Sequence, residues 1–522
     1  MAGGRCSRRG WGEERLPGFA SRRLRSAPAG SLLVLLLAGA VPRLVLLTDN
    51  RLHPDEALFA SLARLIASGV DPLLAHTTLL VDKPPLFYYT LAAGVSIAWG
   101  SELTARLPGL FASLIGLALV ARLAWQLWRS TALIYAFSPF PILFSPTTFA
   151  DPLLVMWVLA ALVAVTSGWG LRSRWGAAGL LLGLAAATKQ SGLYFVPLVV
   201  ALGIVRSTDA RTRWRDVVGW LWPFAAGLGM ILMLISGWNV LRRPAPGFWL
   251  AGVAANNPGR LARSSEVWPR ALGWLGWLGY VGGSPSANAA LAALVAMLLP
   301  LELLLRPRTR EAACSCVLLA YALGYAAIHW LVAFPLIDRY VLPLAFMLAL
   351  LAGCALSLLA SAAASRFRLG MGRLALVTGL ALGALFVSPV RRAVQSALPV
   401  GGDHGAYDGI GQVARLLRTL PEGSIVYYDS LGWSLTYYLF DAPIFLAPFD
   451  SPAALAADLQ VFGGGGERRM IVLPGWHSHA EILDAVAQAG FRSKIALETF
   501  NRHDERSLVV YELIRAATPP RD

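Results

Sequence analysis

Apolar runs closed by short bursts of arginine repeat from Leu32 to Val387, and they leave the chain few ways to fold. The bursts are Arg5 to Arg25, Arg122 and Arg129, Arg172 and Arg174, Arg206 to Arg215, Arg306 to Arg310, and Arg366 to Arg373. The runs between them approach or reach the length needed to cross the roughly 30 Å hydrocarbon core of a bilayer. With 56% hydrophobic and only 14% charged residues in 522, the chain cannot cover a soluble globule with polar surface. The formal charge of +15 invites a nucleic-acid reading, but the arginines form no single basic face. Their spacing is the positive-inside pattern, so the bilayer is the expected partner and nucleic acid is not.

The run Leu32–Leu47 follows a basic leader, residues 1–30. Ala38-Gly-Ala40 resembles a cleavage site, but the run continues past it to membrane length and reads as an anchor. With the leader in the cytoplasm, alternation predicts about eleven crossings. They are Leu32–Leu47, Leu107–Trp125, Ala132–Ser145, Leu153–Val165, Gly176–Ala187, Leu193–Val205, Val217–Ile235, Ala289–Leu305, Ala313–Leu331, Val341–Ala360 and Leu374–Val387. The first outer loop then covers about residues 49–103, and its apolar Leu86–Trp99, short for a span, reads as an interfacial helix. A long outer loop near Gly237–Gly282 carries Arg242, Arg243, Arg260, Arg263 and Arg270 against the charge rule. It reads either as a solvated loop or as a cationic surface for an anionic substrate. Cys6, Cys314, Cys316 and Cys354 fall in cytoplasmic or membrane segments and offer no outer disulfide framework.

After Pro389 the texture changes. Strand-like Ser424–Tyr428, Ile444–Ala447, Met470–Leu473, Lys494–Glu498 and Leu508–Leu513 alternate with helix-like Asp408–Leu417, Ala453–Val461 and His479–Ala489. Such alternation predicts an α/β layer domain over about residues 391–522, extracytoplasmic by the crossing count. Gly463–Gly466 lacks the lysine and downstream spacing of a nucleotide cradle. The expected fold class is a polytopic α-helical membrane protein of the cell membrane. Its helical domain covers about 31–390, the amino terminus is cytoplasmic, and the α/β domain lies outside.

The charged residues nearest the membrane choose one side. Asp55, Glu56, Asp82, Lys83, Asp151, Lys189, Asp338 and Arg339 all fall at expected outer loops, and intramembrane or juxtamembrane charge of this kind marks function. Asp55 and Glu56 are neighbours and cannot share a direction, so one faces a site and the other supports it. Either is a candidate general base, while Pro54-Asp-Glu also reads as a helix start. Lys83, stiffened by Pro84 and Pro85, suits a phosphate as a point charge, or a lipid headgroup. Arg339 adds a planar fork, and Tyr88, Tyr89 and Tyr340 can bond a phosphate or a sugar. A transporter or flippase of lipid-linked saccharides would place such charges at mid-membrane in repeated halves, and no repeat is visible. A membrane scaffold with a partner-binding outer domain would not need Asp55.

Pro54-Asp-Glu56, Lys83-Pro-Pro-Leu86 and Ser101-Glu-x-x-x-Arg-Leu-Pro108 occur in that order. They are followed by Ser145-x-x-x-x-x-Asp151-Pro-Leu-Leu154, Gly183-x-x-x-x-Thr-Lys189 and Arg339-Tyr-Val-Leu-Pro343. The ordered set resembles the GT-C glycosyltransferases, in the branch of protein O-mannosyltransferases and lipid A aminoarabinose transferases. The resemblance implies a GT-C-like bundle that moves a sugar, with inversion, from a polyprenyl-phosphate donor to a lipid, glycan or protein acceptor on the outer face. It implies Asp55 as base with Glu56 beside it. Lys83, Arg339, Tyr340, Lys189, Asp151 and Arg106 are implied as donor-binding candidates. Asp82 stands where some relatives carry an acid implicated in metal binding. His53 and His76 nearby do not establish a metal site by spacing, and neither metal nor another cofactor is expected. Gln190 departs from the glycine frequent in relatives, and the segment near Arg129–Ala132 is short, which makes the third crossing tight. Neither the sugar nor the acceptor is legible.

Overall fold

The computed structural model describes residues 29–516 apart from 49, 99, 129, 131, 209–211, 257–258 and 369. Nearly all of the basic leader, with Cys6 and the 1–30 boundary drawn from it, lies outside the described residues, as does Arg129. Helices follow as α1 (Ala29–Val45), α2 (Pro54–Ala67), α3 (Pro85–Val95), α4 (Glu102–Trp128), α5 (Leu133–Phe137), α6 (Pro139–Leu143), α7 (Ala150–Val165) and α8 (Leu171–Thr188). Then come α9 (Val196–Ser207), α10 (Trp214–Leu241), α11 (Phe248–Asn256), α12 (Ser264–Gly282), α13 (Pro285–Leu305), α14 (Arg310–Leu331), α15 (Leu342–Phe367) and α16 (Met371–Val394). Short 3-10 turns, Gln190–Phe195 and Asp338–Val341, lead into α9 and α15.

Among the described residues, 7 helices are long and apolar enough to cross a membrane by length and composition: α4, α9 and α15 with their leading turns, α10, α13, α14 and α16. The chain is a multi-pass membrane protein. The other expected crossings fall on α1, α7 and α8, and on α5–α6. The last differs most from expectation. Ala132–Ser145 holds two five-residue helices broken at Ser138-Pro139, about 15 Å of helix in all at about 1.5 Å per residue. Broken backbone is tolerated at membrane depth where protein surrounds it, and almost every residue from Ala132 to Asp151 is buried. Outward faces of α10 and α16 instead expose Trp222, Met233, Leu234, Leu376 and Leu380, which suits lipid.

The loops sort to two ends of the bundle. At one end Trp128 donates to the Glu311 carbonyl at 3.1 Å, Arg174 to Ser207 at 2.7 Å and Arg310 to the Thr208 carbonyl at 2.7 Å. These are the arginine-rich loops. The loops with the candidate residues meet at the other end. Between them α8 lies close against α10 through small residues, as membrane helices do. A Cβ on Gly179 would sit 2.0 Å from the Phe224 carbonyl oxygen, and one on Gly183 would sit 2.7 Å from Ile231. Helix α8 ends at Thr188, and Lys189 follows directly.

Helix α3 is short, as Leu86–Trp99 suggested, but it is more buried than an interfacial helix, with Phe87, Tyr88 and Leu91 packed inside. Helix α12 runs along the site end. Near its start Arg270 donates to carbonyls of His329, Trp330, Val332 and Phe334, and beyond its end Gly283 abuts Pro389. Three arginines of this loop, Arg242, Arg260 and Arg270, make structural contacts. Arg242 donates twice to the Leu74 carbonyl and Arg260 pairs with Glu266.

The carboxyl-terminal layer is α/β, as the alternation predicted. Its strands are β1 (Ile425–Tyr428), β2 (Phe445–Pro448), β3 (Arg469–Pro474), β4 (Phe491–Phe500) and β5 (Arg506–Arg515). Their order is β2-β1-β3-β5-β4, with β1 parallel to β2 and β3, and β5 antiparallel to β3 and β4. Helices α17 (Ile410–Leu417) and α18 (Gly432–Tyr438) cover one face, and α19 (Pro452–Phe462) and α20 (Ala480–Gln488) cover the other. The expected boundary near 390 falls inside α16, which continues through Pro389 to Val394. Helix α18, not foreseen, packs the layer onto α2: Arg64 of α2 donates to the Tyr437 carbonyl and lies over its ring at 3.8 Å.

Candidate active site

Three cations and three carboxylates meet at the sheet-bearing end of the bundle. Arg339 Nη1 lies 2.9 Å from Asp55 Oδ2, and Lys189 Nζ lies 2.6 Å from Asp151 Oδ1. Lys83 pairs with Asp82. Each cation comes from a loop or turn and is held by its surroundings. Lys83 precedes Pro84 and Pro85, which start α3, and its N–H donates to the Tyr88 hydroxyl at 3.2 Å. Lys189 caps the end of α8, with its ammonium 4.7 Å from the Tyr340 ring centre. The Arg339 guanidinium lies 4.7 Å from the Phe149 ring centre.

A cavity opens beside these pairs. Lys83, Lys189, Asp151 and Tyr340 line it, together with apolar and aromatic Leu154, Leu193, Tyr194 and Phe334. Asp55 is not in this lining. Its partner Arg339 is not in the lining either, although the adjoining Tyr340 is, and the Asp55 side chain is 26% exposed. The arrangement can hold an anion on cations while an apolar chain lies along the walls, and it sets a carboxylate to one side.

The remaining sequence candidates take other places. Glu56 is buried, and both its oxygens accept backbone N–H groups, Thr148 at 2.7 Å and His53 at 3.0 Å. It is the third residue of a capping box on α2, the helix-start reading of Pro54-Asp-Glu, and does not face the cavity. Burial raises its carboxyl to about 7, against the opposing charge of Arg106. Arg106 is buried on α4, donating to the Leu47 carbonyl at 3.1 Å and lying 3.7 Å from Glu102. It is not part of the cavity lining. Asp151 reaches the cavity as the partner of Lys189, so its carboxylate orients a cation.

Asp82 is engaged by neighbouring side chains. Its carboxylate faces the Lys83 ammonium and the Tyr88 hydroxyl, and among the described residues no three His, Cys, Asp or Glu side chains converge. Several site residues carried no motif. Gln190 donates to the Asp82 carbonyl at 2.6 Å and to the Phe248 carbonyl at 3.4 Å, which draws α11 with Trp249 and Gly252 over the cavity. His53 caps α2, accepting the Asp55 N–H on Nδ1 at 3.2 Å, and burial lowers its imidazole from the usual range. His329 and Tyr325 complete the far wall.

The geometry has counterparts in solved structures. ArnT from Cupriavidus metallidurans in the apo state superposes with a TM-score of 0.62 at 16% identity, covering 93% of this chain and 98% of that one. The same protein bound to undecaprenyl phosphate gives 0.60 at 15% identity, over 95% of this chain and 100% of that one. The chain has the GT-C fold. Residues 82–238 match the family model for dolichyl-phosphate-mannose-protein mannosyltransferase, a stretch that begins at Asp82 and includes Asp151 and Lys189. An undecaprenyl phosphate-alpha-4-amino-4-deoxy-L-arabinose arabinosyl transferase of Enterobacter sp. (strain 638) is 27% identical over 229 residues, 42% of this chain and 41% of the relative. A polyprenol-phosphate-mannose–protein mannosyltransferase of Mycolicibacterium smegmatis is 29% identical over 219 residues, 35% of this chain and 42% of the relative. These matches span about two fifths of the curated relatives' length. The resemblance to the mannosyltransferase and aminoarabinose transferase branch is borne out, and so is a helical membrane body with an α/β layer.

Proposed function

We propose that the protein is an integral-membrane glycosyltransferase that takes a sugar from a polyprenyl-phosphate donor and passes it, with inversion, to an acceptor hydroxyl on the extracytoplasmic face. One observation carries the reading: Lys83 and Lys189 line an apolar-walled cavity, and the Arg339–Asp55 pair stands next in the chain to Tyr340, which lines it too. The lipid phosphate rests on Lys83, Lys189, Arg339 and the Tyr340 hydroxyl, and the prenyl chain follows the apolar wall. The acceptor approaches from the Asp55 side. Asp55 takes the proton of the acceptor hydroxyl as its oxygen bonds to the anomeric carbon. The sugar–phosphate bond breaks on the opposite side, and its electron pair leaves on the phosphate oxygen, where the cations stabilise the growing charge. The Asp55–Arg339 pair couples the two events. A phosphate that draws Arg339 toward the cavity frees the Asp55 carboxylate to meet the acceptor hydroxyl.

Support comes from both sides. The solved ArnT binds undecaprenyl phosphate, and the curated relatives are named for polyprenyl-phosphate sugars. The test is incubation of purified protein with a panel of labelled polyprenyl-phosphate sugars and crude envelope acceptors. A labelled product supports the proposal; donor consumption without any glycosylated product contradicts it.

A further inference from the structure

In the α/β layer the chain reverses its spatial order between β1 and β3. From β1 it passes through α18 on one face, and from β3 it passes through α20 on the other. The loops leaving these adjacent parallel strands therefore part to opposite faces. Crevices of this kind, at the carboxyl ends of strands, are where open α/β sheets hold small ligands.

The residues at this crevice are not used by the fold. Trp476, just after β3, is 48% exposed and belongs to neither hydrophobic core of the layer. Its ring is nevertheless set by edge contacts, 5.6 Å to Tyr407 and 6.1 Å to His477. His477 Nδ1 lies 3.4 Å from Asp429 Oδ2, so a side chain from the β3 end meets one from the β1 end, and both remain open to solvent. The contrast is His479, whose two ring nitrogens are taken by the Tyr511 hydroxyl and the Pro474 carbonyl, each at 2.9 Å. The nearby arginines are paired, Arg502 with Asp408 and Arg506 with Glu498.

One chain segment links the crevice to the candidate active site. Tyr407 belongs to the segment 401–408, which is tied to the membrane part where Gly401 N–H donates to Asp338 Oδ2 at 2.9 Å. Asp338 directly precedes Arg339, the partner of Asp55. The charge of Asp55 also reaches the Tyr407 hydroxyl. One short segment thus separates Trp476 from the proposed base.

We infer that the crevice between the carboxyl ends of β1 and β3 is a saccharide-binding subsite for a neutral glycan, with Trp476 as platform and Asp429 and His477 as its polar contacts. A pyranose ring stacks its C–H face on a fixed indole, while a carboxylate accepts from adjacent hydroxyls and an imidazole bonds a third. That this glycan is the acceptor rests on the transferase reading; its binding does not.

The test uses the full-length protein in lipid nanodiscs, with maltose, cellobiose and α-mannobiose as probes and saturation-transfer NMR as readout. At least one disaccharide binds the wild type. Trp476→Ala weakens that binding by roughly fivefold to tenfold, the scale of one aromatic contact, and Trp476→Phe restores part of it. Asp429→Asn weakens it too. Because Trp476 is half exposed and outside both cores, its loss leaves the layer folded. Failure of all three disaccharides to bind, equal binding by Trp476→Ala, or preference for a nucleoside diphosphate overturns the inference. Binding that depends on Trp476 in a protein with no transferase activity would sink the transferase reading and leave the subsite standing.

Discussion

The Asp151–Lys189 pair separates what holds the site together from what acts in it. Both side chains are almost wholly enclosed, 4% and 8% exposed, with 2.6 Å between Oδ1 and Nζ. Lys189→Met leaves the Asp151 carboxylate without its cation, and breaking a buried pair by removing one partner costs about 3–5 kcal/mol. Lys189→Met/Asp151→Leu removes both charges, and apolar replacement of a buried pair is close to neutral or stabilising. The assay is thermal unfolding of the purified protein in detergent beside the rate of sugar transfer. The single variant unfolds at a clearly lower temperature, and the double variant regains most of the loss. Transfer stays impaired in both, because the proposed phosphate ligand is missing from both. A double variant that transfers sugar at the wild-type rate would refute Lys189 as a donor ligand and leave the pair purely structural.

Lys83→Ala weakens use of the donor more than of the acceptor. Initial rates against donor concentration show whether apparent affinity or maximal rate falls, and an unchanged curve reduces Lys83 to a headgroup anchor. Burial holds the Glu56 carboxyl at about 7, above the ordinary 4.5, so the folded state binds this proton more tightly than the unfolded chain. Its contribution is present in full below the unfolded value and is lost as pH rises through the folded one. Unfolding temperature should therefore carry a component that declines between about pH 4.5 and 7, absent in Glu56→Gln; identical pH profiles would contradict this. Tags at both termini, read by protease protection, should report a cytoplasmic amino terminus and an extracytoplasmic carboxyl terminus, and two tags on one side would break the crossing count.

The sequence exposed those parts of the fold that follow from local pattern. The five strands were legible because β-branched and aromatic runs such as Ser424–Tyr428 and Leu508–Leu513 are bounded by turn residues. Helix α18 was not. Gly432-Trp-Ser-Leu-Thr-Tyr-Tyr438 is short and rich in residues that favour strands, and it is packed on Arg64 of α2. The broken α5–α6 crossing looks like a span in sequence because apolar content counts the same in straight and broken helices. At the site, one-sided placement of Asp55, Lys83, Asp151, Lys189 and Arg339 was legible from charge alone. Their pairing was not, since Asp55 meets Arg339 across 284 positions and Asp151 meets Lys189 across 38. Glu56 illustrates the same divide. Its place in a helix start was visible locally, but its second oxygen is claimed by Thr148, 92 positions away.

The central claim is that Asp55 is the base of a lipid-phosphate-dependent sugar transfer. The direct measurement is single-turnover transfer by Asp55→Asn against wild type, with each protein saturated by the polyprenyl-phosphate sugar that the wild type accepts. Asparagine keeps the size of the side chain and removes its basicity. The account predicts a fall of at least about a hundredfold in the transfer rate, the scale of a positioned base, with donor binding retained. Transfer by Asp55→Asn at the wild-type rate would contradict it.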